Sequence, residues 1–119
     1  MAIPPDDTDV TAFLPLRPVE YHVLLSLTDA PRHGYGIMQD AEARSGAAVI
    51  PDVATLYRAL KRMVEGGLIR PATGEARSGG DRRRTDYELT PLGGRVARAE
   101  SRRMAALVRS AAGVGLLDG

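Results

Sequence analysis

The chain has 119 residues, a length that suits one domain with a modest core, and it contains no cysteine, which excludes a disulfide frame, a thiolate zinc site and a cysteine nucleophile. Its formal net charge of +1 conceals an uneven distribution: residues 1–53 hold three basic residues against eight acids, a net of −5, whereas residues 54–119 hold thirteen against seven, a net of +6. A basic half in a small domain is the electrostatic footprint expected of a partner with a phosphate backbone.

The first residues, Met1-Ala2-Ile3-Pro4-Pro5-Asp6-Asp7, are acidic and proline-containing where a secretory signal is basic and then apolar. No apolar run approaches the length that spans a bilayer, so a protein with no membrane partner, retained in the cytoplasm, is expected. Residues 1–14 offer little apolar surface to bury and are expected to form a flexible arm. Pro18 then suits the first turn of a helix, and Val19, Val23, Leu24 and Leu27 recur at helical spacing through Thr28. Tyr21 and Leu25 make this helix apolar nearly all round, so it needs cover on more than one side. Asp29-Ala30-Pro31-Arg32 breaks the pattern. A second helix is predicted from about His33 to Ser45, with Tyr35, Met38 and Ala41 on one face and Gly46 as its stop.

Ala47 to Ile50 reads as a short extended piece, and Asp52 caps a third helix whose inward positions are predicted to be Val53, Leu56, Leu60, Met63 and Val64. Gly66-Gly67 ends it. Leu68-Ile69-Arg70 and Thr85 to Leu89 read as two strands, joined by a glycine- and arginine-rich loop from Pro71 to Arg84. Thr90-Pro91 supplies a cap and a first-turn proline for a last helix to about Ala112. Three helices, a two-stranded wing and a further helix make a mainly α fold with a small β-hairpin, a winged helix-turn-helix arrangement.

The third helix carries the first candidate site. With Leu56, Leu60, Met63 and Val64 inward, a rotation of about 100° per residue places Thr55, Arg58, Lys61 and Arg62 on or near the outward face. The major groove of B-DNA admits a helix, and side chains near its N-terminal end meet base edges. Arg58 or Lys61 suits guanine, Thr55 and Tyr57 suit a thymine methyl or a phosphate oxygen, and Arg62 suits the backbone. A solvated basic face, with Tyr57 in the core, is the plainer alternative. Arg82-Arg83-Arg84 then sets three adjacent cations in the hairpin, where like charges repel unless an anion is near. The plainer alternative there is a charged loop in a chain with fifteen arginines to one lysine.

These residues also carry a family resemblance. His33-Gly34-Tyr35-Gly36-Ile37, Thr55-Leu56-Tyr57-Arg58-Ala59-Leu60-Lys61-Arg62-Met63, Gly67-Leu68-Ile69 and Tyr87-Glu88-Leu89-Thr90-Pro91-Leu92-Gly93, in that order, resemble the PadR-like family of winged-helix transcriptional regulators over about Leu16 to Ala112. The resemblance implies a homodimeric regulator that binds double-stranded DNA, usually as a repressor, with the third helix in the major groove and the wing alongside. It places Tyr35, Thr55, Tyr57 and Lys61 at the DNA face. Two departures are that Thr85-Asp86 precede Tyr87, where family wings are often basic and aromatic, and that Ala54 stands where glycine is frequent.

The last helix points to dimerisation on its own pattern. Ala97, Met104, Val108 and Ala111, with Leu107 beside them, form an apolar stripe, while Arg95, Arg98, Arg102 and Arg103 occupy other faces. The expected cover is the last and first helices of a second copy around a two-fold axis, with Tyr21 and Leu25 contributing. A small apolar effector at that interface is a further expectation, lined by Tyr21, Leu25 and Met104. The expected organisation is therefore an arm over 1–14, a DNA-binding domain over 15–90, a dimerisation helix over 91–112 and a tail over 113–119. His22 and His33 read as core or capping residues, and no catalytic or zinc spacing accompanies them, so neither an enzyme nor a cofactor is expected. The competing reading is a winged-helix module that binds protein and not DNA.

Overall fold

The computed structural model describes residues 9–46, 52–72 and 85–117. Helix α1 (Pro18–Ser26) lies at the centre, touching α2 (Gly34–Arg44), α3 (Val53–Glu65) and α4 (Pro91–Gly113). That placement explains its lack of a polar face: Val23, Leu24 and Ser26 are buried, and the Ser26 hydroxyl is satisfied by donating to the Val23 carbonyl at 3.0 Å. Around α1 closes a single core of Val23, Leu24, Leu27, Ile37, Leu56, Leu60, Met63, Leu68, Ile69 and Val96.

After α1 the chain bends where the Arg32 guanidinium donates to the Ser26 carbonyl at 2.7 Å and pairs with Asp29 at 3.4 Å. Arg32–His33 is then a two-residue strand, β1, where the sequence pattern predicts only a break between helices. It pairs antiparallel with β3 (Asp86–Leu89), which in turn pairs with β2 (Ile69–Pro71), so the expected hairpin is part of a three-stranded sheet of order β1-β3-β2. Asp86 lies opposite His33, and Arg70 opposite Glu88 with a 2.8 Å ion pair between them.

Helix α2 begins where His33 Nδ1 accepts the Gly36 amide at 3.2 Å, so this histidine is a cap. Its buried face is Gly34, Ile37 and Ala41, and Tyr35, expected beside Met38 and Ala41, instead points outward at 64% exposure. Helix α3 buries Leu56, Ala59, Leu60 and Met63. Val53 and Val64, expected inward, are exposed, because the helix's first turn and its wing-side edge rise clear of the core. It ends in a Schellman turn: Gly67 takes φ +81, and the Leu68 amide reaches back to the Met63 carbonyl at 2.9 Å.

Thr90 caps α4 by accepting the Gly93 amide at 3.0 Å, and its own hydroxyl donates to the Gly67 carbonyl at 2.5 Å. Gly93 packs directly on the entry to β2, where a Cβ would overlap the Leu68 carbonyl oxygen. The 23-residue helix is about 34 Å long at 1.5 Å per residue, so its second half runs past the core. A second Schellman turn closes it at Gly115, φ +86, with the Leu116 amide on the Ala111 carbonyl at 2.9 Å.

The flexible arm expected over residues 1–14 needs correcting from Asp9 onward. Asp9 caps a 3-10 turn over Val10–Phe13, which packs on α4, and Val10, Phe13, Leu14 and Leu16 cover the core. A buried carboxylate fastens this segment: Glu100, with a side chain 2% exposed, accepts the Leu16 amide at 2.9 Å and both Nε and Nη2 of Arg103, at 2.5 and 3.0 Å. No helix among the described residues is long and apolar enough to cross a membrane.

Candidate nucleic-acid interface

Helix α3 is built to hold one face still and leave the other open. Both Asp52 carboxylate oxygens serve its N-terminus, one accepting the Thr55 amide at 2.8 Å and the other the Thr55 hydroxyl at 2.9 Å. The amide bond, then the hydroxyl bond, hold the Asp52 carboxyl below its ordinary range, so the cap is ionised at neutral pH and complements the helix dipole. Thr55 is thereby fixed in rotamer, and its Oγ1 lies 3.4 Å from an Arg58 amino nitrogen.

Arg58, Lys61 and Arg62 are exposed along the same helix. Among the described residues Arg62 differs from the other two in having an ion-pair partner: its amino nitrogen lies 3.4 Å from Glu20 Oε2 on α1, and Glu20 Oε1 also accepts the Arg17 amide at 3.1 Å. Tyr35, at the start of α2, projects with its ring edge-to-face on His33 at a centroid distance of 6.4 Å. Tyr57 takes a different position from the open face expected for it. Its ring tip tucks against α2, where a Cβ on Gly34 would come within 2.5 Å of the hydroxyl, so Gly34 is the space that lets α2 and α3 approach.

Between α3 and the sheet lies a cleft of about 480 Å³ lined by Tyr57, Lys61, Val64, Glu65, Pro71 and Tyr87. Sequence reasoning does not single out Tyr87 as a site residue. Its only signal is an aromatic in a strand, ordinary until β2–β3 pairing sets it opposite Pro71. Burial, and secondarily Tyr57, push its hydroxyl pKa up, so it keeps its proton. Arg82, Arg83 and Arg84 lie outside the described residues, as does the extended piece expected over Ala47 to Ile50.

The residues expected at a dimer interface fall into two neighbouring sets. Tyr21, Leu25 and Ala97 line a groove of about 360 Å³ between α1 and α4. The Tyr21 and Ser101 hydroxyls meet there at 2.7 Å, and since Ser101 donates to the Ala97 carbonyl at 2.8 Å, Tyr21 is the donor of the pair. Further along α4, Leu107 and Val108 are 57% and 54% exposed, while Met104 and Ala111 are half-buried.

Three helices, a wing and an open, capped third helix with cationic side chains define a winged helix-turn-helix protein of the DNA-binding regulator class. The sequence model of the transcriptional regulator PadR-like family matches residues 23–99, and the chain belongs to that family. Solved structures share the fold at low identity. A PadR family transcription regulator from Clostridium difficile superposes with a TM-score of 0.68 at 22% identity, over 82% of this chain and 98% of that one. A transcriptional regulator from Clostridium thermocellum gives 0.66 at 23% identity, over 83% and 90%. A protein from Streptococcus mutans gives 0.62 at 19% identity, over 90% and 98%. No curated protein matches in sequence.

Proposed function

We propose that this chain is a sequence-specific DNA-binding repressor that acts in the cytoplasm as a homodimer on a pseudo-palindromic operator. The observation that carries the reading is the state of α3: Arg58 and Lys61 stand uncovered, beside the half-buried Thr55, on a helix whose opposite face is buried and whose N-terminus is pinned by Asp52. A rigid helix with free donors near its N-terminal end is what major-groove reading requires. In this reading Arg58 takes guanine, Thr55 a thymine methyl, and Lys61, Tyr35 and the loop arginines Arg82, Arg83 and Arg84 take phosphates. Tyr57 spaces α2 from α3 and reaches the backbone from the cleft. Arg62 contributes less than Arg58, because Glu20 already offsets its charge.

Residues 15–90 are the DNA-binding unit and α4 the dimerisation element. Leu107 and Val108, more than half exposed on a helix that outruns its own core, support a second copy as their cover, continuous with the Tyr21, Leu25 and Ala97 groove. A small apolar effector is proposed for that groove. Repression follows from occupancy, since a dimer spanning two half-sites blocks access to the DNA beneath it.

The test is selection of bound duplexes from a random library at low and physiological salt. One pseudo-palindromic motif, with half-sites one or two helical turns apart, is expected. Salt-sensitive binding without enrichment overturns sequence specificity, and no binding at either salt favours the protein-interaction module.

A further inference from the structure

The cleft between α3 and the sheet has a donor set that the fold does not use. Tyr57 and Lys61 are four residues apart on α3 and so share a face, and Tyr87 approaches from β3 on the other wall. Among the described residues, the Tyr57 and Tyr87 hydroxyls and the Lys61 ammonium have no hydrogen-bond or ion partner. Tyr57 and Tyr87 are half-buried and Lys61 is exposed, so among the described residues these three line one open cleft with donors left available to an acceptor outside the chain. Burial raises the pKa of the Tyr87 hydroxyl, so it stays a neutral donor at physiological pH.

The charges on the lining, which balance, argue against a multiply charged acceptor. Lys61 brings one positive charge and Glu65 one negative charge to the rim, and Val64 and Pro71 form apolar wall. A free multiply charged anion gains little from that balance. A singly charged phosphodiester, already delivered by contacts elsewhere along α3 and flanked by apolar sugar carbons, fits it. The cleft also joins the two elements that approach DNA in a winged helix, the recognition helix and the wing.

We propose that this cleft holds one DNA-backbone phosphate, with Lys61, Tyr57 and Tyr87 as its donors, so that a single phosphodiester ties α3 to the wing strand β3. The proposal rests on the DNA-binding reading and adds Tyr87 to the residues that carry it. The contact fixes register between helix and wing and contributes affinity without base preference.

The experiment uses the full chain and the duplex recovered by library selection, with Tyr87→Phe, Lys61→Gln and a scan of single uncharged methylphosphonates along each strand. Tyr87→Phe is expected to weaken binding about tenfold, the loss of one hydrogen bond to a charged acceptor. Its salt dependence should stay as in the wild type, because a neutral phenol releases no counterion. Lys61→Gln should weaken binding and flatten the slope of log K against log salt by about 0.9. One methylphosphonate per half-site should weaken the wild type and have little further effect on the variant that combines Tyr87→Phe with Lys61→Gln. The Tyr87 hydroxyl has no partner among the described residues, so Tyr87→Phe should retain the wild-type Tm. Wild-type affinity in Tyr87→Phe overturns the proposal, as does a scan in which no phosphate loses its effect in the variants. If Arg58→Ala and Lys61→Gln weaken binding while Tyr87→Phe does not, the regulator reading survives and the phosphate cleft is refuted. Failure to recover any duplex refutes both.

Discussion

Two adjacent glycines in the first turn of α4 should respond to the same substitution with opposite signs. At Gly93 an added Cβ would overlap the Leu68 carbonyl oxygen and stand 2.9 Å from its carbon, both backbone atoms that no rotamer change can move. Relief requires α4 to lift from the β2 entry, which breaks two hydrogen bonds, from the Thr90 hydroxyl to the Gly67 carbonyl at 2.5 Å and from the Thr90 amide to the Leu68 carbonyl at 3.1 Å. Overpacking costs about 1 to 3 kcal/mol and each lost hydrogen bond about 1 kcal/mol, against a helix-propensity gain of about 1 kcal/mol, so Gly93→Ala should destabilise by about 2 to 4 kcal/mol. At Gly94 nothing lies within 4 Å of an added Cβ, and Ala should stabilise by up to about 1 kcal/mol. Urea unfolding of both variants, repeated over a range of protein concentrations, reads the difference. Gly94 borders the α1–α4 groove, and the concentration series separates any effect on self-association from stability of the fold. Equal stability of the two variants would refute the close-approach argument.

Three further outcomes are expected. Glu100 has its carboxyl pKa held below the ordinary 4.5, first by the Arg103 hydrogen bonds, against the opposing pull of burial. Because the folded-state pKa is depressed, the stabilisation is full above the ordinary pKa and is lost as pH falls through the folded value; Glu100→Gln should therefore lower stability at neutral pH by about 1.5 to 3 kcal/mol and flatten the acid limb below 4.5, as read by Tm against pH. Arg58→Ala should relax preference at one base pair of each half-site and cost about 1 to 3 kcal/mol of specific binding, whereas Arg62→Ala should weaken all sequences slightly; equal effects in competition binding would argue against Arg58 as the reader. Leu107→Glu should shift the chain toward monomer in sedimentation and leave unfolding of the protomer nearly unchanged, since Leu107 is 57% exposed there; an unaltered sedimentation coefficient would remove α4 from the interface.

Much of α3 and the start of α4 is legible in the sequence itself, because the signals are local. Asp52 meets amides three residues away, Gly66-Gly67 ends α3 through bonds within one turn, and Thr90-Pro91 opens α4 the same way. Periodicity alone misleads at helix edges, as with Val53 and Val64, since a pattern gives a direction and not the extent of cover. The two-residue strand β1 carries no period at all, and its existence depends on β3 some fifty residues later in the chain.

From sequence alone came the order of helices and strands, the basic outward face of α3 and the family, because capping, turn chemistry and amphipathic spacing act within a few residues. Tertiary structure decided what each side chain is free to do. It tied Arg62 to Glu20 across 42 residues, held Leu16 on the buried Glu100 across 84, turned Tyr57 toward Gly34 and brought Tyr87 to the cleft that Tyr57 and Lys61 line. Those outcomes depend on which surfaces meet when α1 is covered on several sides, and contacts between residues so far apart in the chain leave no periodic trace in it.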